Sequence, residues 1–158
     1  MQPENFRATE SIVIDATPEE IFDTISDITR TGEWSPVVET CWWDDTQHGR
    51  EPNVGDVFYG RNVTPNRTWE TRCVVTAYER PKVFSWIVGE GVVNWGFHVA
   101  PAEVGATLTE TWEVTDNGFA FFKQKYGDDA DAELEDRRQA ALSGIPATLA
   151  KIKEIIEG

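Results

Sequence analysis

From Val37 to Asp116 the chain alternates apolar and polar residues with a period of two, in six runs broken by turn residues. That period confines the middle of the chain to strands that bury one face and wet the other. The runs are Val38–Asp44, Val57–Val63, Thr68–Tyr78, Val83–Val88, Val92–Val99 and Ala106–Thr115. Between them stand Pro52-Asn53-Val54-Gly55, Thr64-Pro65-Asn66, Arg80-Pro81, Gly89-Glu90-Gly91 and Pro101 to Gly105. Short connections between consecutive strands make an antiparallel meander.

The flanks read differently. Arg7 to Asp15 forms a further strand centred on Ile12-Val13-Ile14. Thr17-Pro18-Glu19-Glu20 then opens a helix: a threonine to cap, a proline for the first turn and two acids against the positive helix end. Ile21, Phe22 and Ile25 give it an apolar stripe, and Asp27 to Glu33 continues as a second short helix. From Asp128 to Ile156, Leu134, Ala141, Ile145, Leu149, Ile152 and Ile156 recur at helical spacing, and Pro146 is expected to kink this helix. A helix of roughly 28 residues spans about 42 Å. The order is strand, two short helices, six strands, long helix. The expected class is α+β, a curved seven-stranded antiparallel sheet wrapped on the C-terminal helix.

With 158 residues the chain fits one domain, residues 1–158, large enough to bury a core without staples. The net charge of −14 repels phosphate backbones and anionic lipid, so neither nucleic-acid binding nor stable membrane association is expected. No apolar run reaches spanning length, and Met1 to Asn5 lacks the basic and apolar parts of a secretory signal. Cys41 and Cys73 belong to no metal or redox motif and read as small buried hydrophobes in a reducing cytoplasm.

Parity assigns the strand faces. Phe58, Asn62, Trp69, Thr71, Cys73, Val75, Ala77, Phe84, Trp86, Trp95, Phe97, Leu108, Glu110 and Trp112 fall on the inner face. Arg61, Arg72 and His98 fall outside. Opposite the rings the long helix offers small residues, Ala140, Ala141, Gly144 and Ala147, besides Ile145 and Leu149. Large rings facing small residues either interdigitate tightly or enclose a cavity, and an apolar, aromatic-lined cavity is the usual small-molecule site. The candidate ligand-binding set is therefore Phe58, Asn62, Trp69, Thr71, Cys73, Phe84, Trp86, Trp95, Phe97, Glu110, Trp112, Ala141, Ile145 and Leu149. Glu110 is the inward acid. It either bonds a neighbouring threonine, a tryptophan N–H or Asn62, or anchors a polar group of a ligand, or serves as a general acid or base.

Element order and local motifs resemble a known group. They are Ile14-Asp15-Ala16-Thr17-Pro18-Glu19-Glu20-Ile21-Phe22, Ser26-Asp27-Ile28 with Trp34-Ser35-Pro36, and Val54-Gly55-Asp56-Val57-Phe58-Tyr59-Gly60-Arg61-Asn62. Trp69-Glu70-Thr71, Phe84-Ser85-Trp86, Trp95-Gly96-Phe97-His98-Val99, Gly105-Ala106-Thr107 and Thr109-Glu110-Thr111-Trp112 follow. The chain resembles, over nearly its whole length, the START-like (SRPBCC) superfamily, and within it the polyketide cyclase/dehydrase and lipid-transport-like proteins. The resemblance implies a helix-grip fold and a group that includes lipid carriers, polyketide binders and cyclases, with no universal catalytic motif.

Other chemistries fail at the level of motif. There is no G-x-S-x-G, no P-loop and no G-x-G-x-x-G after a strand. His48 and His98 are far apart, so no metal site is expected, and no cofactor. Asn117 to Gly127 carries four aromatic residues with Lys123 and Lys125. It reads as a short helix packed on the core, a gate over a cavity mouth, or a subunit contact. The functions in competition are binding of a hydrophobic small molecule (lipid, polyketide or aromatic), a cyclase or dehydratase using Glu110, and a regulatory protein with a vestigial cavity. The expected state is a cytoplasmic monomer or weak homodimer.

Overall fold

The computed structural model describes residues 2–44 and 51–158. Its elements are β1 (Arg7–Ile14), α1 (Pro18–Ile25), a 3-10 helix (Ile28–Glu33), β2 (Val38–Trp43), β3 (Val57–Thr64), β4 (Arg67–Glu79), β5 (Val83–Val88), β6 (Val93–Pro101), β7 (Ala106–Val114), α2 (Asp116–Tyr126) and α3 (Ala130–Glu157). The seven strands form one curved antiparallel sheet in the order β1-β7-β6-β5-β4-β3-β2. The architecture expected from the sequence is present. His48 lies outside the described residues.

Local chemistry sets the ends of the helices. The Thr17 hydroxyl accepts from the Glu20 N–H at 3.1 Å and starts α1, whose Ile21, Phe22 and Ile25 are buried. The Thr115 hydroxyl accepts from the Gly118 N–H at 2.9 Å and starts α2. At Gly118 a Cβ would stand 2.2 Å from the Val92 carbonyl oxygen, so only glycine lets α2 lie against the β5–β6 turn. The segment from Asn117 is thus a helix packed on the core: Phe122 is buried and Phe119 meets Phe6 edge-on at 5.5 Å. Phe121, Lys123 and Lys125 face out.

α3 runs through Pro146 as one 28-residue helix, with Pro146 on its exposed side. Leu134, Ala141, Ile145, Leu149 and Ile152 are buried as their spacing predicts. α3 packs chiefly on β1 and on α2, and also touches β7, while α1 packs on β6 and β7 and the 3-10 helix on β2. Two expectations need correction. Ala140 and Ala147 are exposed, so the small face offered to the sheet reduces to Ala141 and half-buried Gly144. A β-bulge between Val75 and Ala77 resets parity in β4, so Tyr78, not Ala77, pairs with Phe84 on the inner face.

Candidate binding site

The inner face gathers rings in contact. Phe58 lies 5.9 Å from Trp86 and 6.4 Å from Phe84, centroid to centroid, and Trp86 lies 5.3 Å from Phe84 and 5.9 Å from Phe97. Their planes are tilted or edge-on, the arrangement that ring quadrupoles favour. The cluster extends through Tyr78 to Phe22 on α1 and through Trp43 at 5.4 Å from Phe58. Parity along β4 concealed Tyr78, because that strand carries a register shift after Val75. Trp43 shares its face with buried Cys41 two residues before it, on a strand whose faces the sequence pattern left unassigned. Trp34, at the end of the 3-10 helix, is also buried in the core.

Burial separates these residues. Phe58, Phe84, Phe97, Trp112 and Cys73 are buried, whereas Trp69, Thr71, Trp86 and Trp95 are half-buried. Trp69 stands apart from the ring contacts, its face covered by the Arg67 guanidinium at 4.4 Å. Beside it, Asn62 Nδ2 donates to the Trp69 carbonyl oxygen and to Thr71 Oγ1, each at 3.3 Å. Gly60 has no side chain to separate Cys41 from Thr71: a Cβ there would stand 3.4 Å from both Cys41 Sγ and Thr71 Oγ1. Both cysteines are free, and burial pushes the Cys73 thiol up to about 12. A thiol so far from ionisation is no nucleophile at neutral pH.

Glu110 is the unusual member. It sits on β7 between Leu108 and Trp112, opposite Phe97 on β6 and Glu10 on β1. It is 5% exposed, and its Oε1 is buried without a hydrogen-bond partner. Asn62, one of its proposed partners, is engaged elsewhere. Burial alone pushes the carboxyl up to about 8, with no charged group offsetting the loss of water. Near neutral pH the carboxyl is therefore mostly protonated and able to donate. Among the described residues, no three His, Cys, Asp or Glu side chains converge as a metal site would require, and no helix is long and apolar enough to cross a membrane.

A surface depression of about 370 Å³ lies elsewhere, lined by Gln2, Asn5, Phe6, Asp131, Glu135 and Arg138. Arg138 there is committed to the Asn5 carbonyl oxygen and to Glu135, each at 2.9 Å. Its ionic lining does not suit an apolar ligand.

The family described as polyketide cyclase / dehydrase and lipid transport matches residues 5–150. The chain belongs to that family. A polyketide-cyclase-like protein of Corynebacterium glutamicum is 48% identical to it, over 96% of this chain and 91% of the other, with a TM-score of 0.71. The di-domain ARO/CYC StfQ of the steffimycin biosynthetic pathway is 13% identical over 98% of this chain and 52% of its own, with a TM-score of 0.69. The protein Ms6760 of Mycobacterium smegmatis is 13% identical over 99% of this chain and 94% of its own, with a TM-score of 0.68. The last two share the fold alone. No curated protein matches the sequence. Family membership agrees with the ring-lined sheet and the long C-terminal helix, and it leaves the ligand to the side chains of this chain.

Proposed function

We propose that this member of the polyketide cyclase/dehydrase and lipid-transport family binds a hydrophobic small molecule of lipid, polyketide or aromatic type between the inner sheet face and α3. One observation carries the reading: Glu110 Oε1 is buried and unpartnered in a wall otherwise made of Phe97, Leu108 and Trp112. Leaving a buried polar atom without a partner costs roughly 1–3 kcal/mol, and a leucine would fill the same place without that cost. A polar group on an otherwise apolar ligand meets the need. Half-buried Trp86 and Trp95 on the same face supply flat apolar surface for the rest of the molecule.

Native mass spectrometry of the purified protein tests this by asking whether a small molecule copurifies. Tryptophan fluorescence, titrated with chemically diverse lipids and polyketides, is the second arm. A bound mass or saturable quenching is expected, and an unresponsive signal across all classes refutes the reading. A second reading, a cyclase or dehydratase, is favoured by a single fact: a carboxyl pushed up to about 8 is poised as a general acid near neutral pH. Glu110→Gln separates the two. It abolishes turnover in an enzyme and only modulates affinity in a carrier.

A further inference from the structure

We propose that Glu110 donates the hydrogen bond that recognises the ligand, so that the ligand carries a neutral acceptor there, a keto or ester carbonyl oxygen, and not an amine. The inference rests on the binding reading above and names the chemistry it selects. Glu110 faces Phe97 on β6 and Glu10 on β1, with Leu108 and Trp112 beside it on its own strand. Phe97, Leu108 and Trp112 offer no side-chain acceptor. A primary ammonium needs three acceptors and finds one buried carboxyl, Glu10 across the strand being exposed to water, while a carbonyl oxygen needs only one donor.

The surrounding charges point the same way. On β6, His98 is exposed on the opposite face. α1 buries Ile21, Phe22 and Ile25, leaves Glu19, Glu20 and Asp23 outside, and Asp23 pairs with Arg80 at 2.7 Å. α3 turns Leu134, Ala141 and Ile145 inward. Its Arg137 pairs with Glu133 and Asp136, its Arg138 with Glu135, its Lys151 with Glu154 and its Lys153 with Glu157. None of these cations holds Glu110, and the charged group facing it, Glu10, has the same sign and is exposed. Burial among apolar side chains, with no cation at hand, therefore favours the neutral acid, which is a donor.

Three probes of closely matched shape isolate the contact: 2-acetylnaphthalene, 2-isopropylnaphthalene and 1-(naphthalen-2-yl)ethanamine. Their affinities are read from amide shifts in two-dimensional NMR titrations of the wild type, Glu110→Gln and Glu110→Leu. Both variants remove an ionisable group from an apolar site and are expected to fold. The wild type should prefer the ketone over the hydrocarbon by roughly three- to tenfold, the worth of one net hydrogen bond. Glu110→Gln, which still donates, keeps that preference at every pH. Glu110→Leu binds ketone and hydrocarbon alike. In the wild type the preference fades above about pH 8 as the acid ionises. An amine bound most tightly by the wild type, a ketone no better than the hydrocarbon, or a preference that survives in Glu110→Leu overturns the inference. Failure of all three probes to bind the wild type, together with an unresponsive tryptophan signal across lipids and polyketides, overturns the binding reading itself.

Discussion

Replacing Glu110 by glutamine should change how the stability of this protein depends on pH. Burial raises the folded-state pKa of Glu110 from 4.5 to about 8, so the folded chain holds this proton more tightly than the unfolded chain does. Below the unfolded value the acid is neutral in both states and costs nothing through ionisation. As pH rises through the window from about 4.5 to about 8, the unfolded state gains from ionising while the folded state does not. Stability falls across that window. At 1.36 kcal/mol per unit, the full difference is about 5 kcal/mol once both states are ionised. Between about pH 5 and about pH 9, the gap between Glu110→Gln and the wild type should widen in favour of the variant by about 4 kcal/mol. That is a large share of the roughly 5–15 kcal/mol typical of a domain. Asp23, held below the usual carboxylate range by the Arg80 hydrogen bond, titrates in both proteins and cancels. The buried glutamine amide displaces the two curves by a constant without adding slope. Urea unfolding at several pH values measures the gap directly. Parallel profiles, or a gap that narrows with pH, would refute the burial of an unpartnered acid.

Phe84 is fully buried among Phe58, Tyr78 and Trp86, so Phe84→Ala should cost roughly 3–5 kcal/mol in denaturant unfolding. Gly105 has φ +72°, and a Cβ there would stand 2.0 Å from the Ile14 carbonyl oxygen. Gly105→Ala should lose at least ~1–3 kcal/mol and loosen the β1–β7 pairing, seen as faster amide exchange in Val13 and Ile14. Thr115→Ala removes the cap of α2 and should cost about 1 kcal/mol, checked by the same unfolding assay. The Cys73 thiol, pushed up to about 12 by burial, should resist alkylation in the native protein at neutral pH and react at the ordinary rate in urea.

Much of the fold was legible in the sequence. Alternation placed six strands within a residue or two of their observed bounds, because a sheet with one buried face must repeat every second residue. Thr17-Pro18-Glu19-Glu20 marked the start of α1 because a helix end leaves N–H groups to be capped. The same alternation put Phe58, Phe84, Trp86, Phe97, Glu110 and Trp112 on one face. It failed where its premise failed. The bulge after Val75 adds a residue to one strand, and everything beyond it changes sides, which is why Tyr78 took the place assigned to Ala77. Helical spacing alone likewise left the width of the buried stripe on α3 open, and Ala140 and Ala147 turned out to face water.

By itself, then, the sequence determined the order of elements, the inner ring-bearing face and the presence of one carboxyl among apolar residues. Those follow from short-range periodicity. Only the tertiary structure decided that Glu110 Oε1 has no partner, that Asn62 is bonded to Trp69 and Thr71, and that Trp69 is covered by Arg67 while Trp86 joins the ring cluster. Such facts depend on distances between strands far apart in the chain. Periodicity says which way a side chain points; only packing says what, if anything, it meets there.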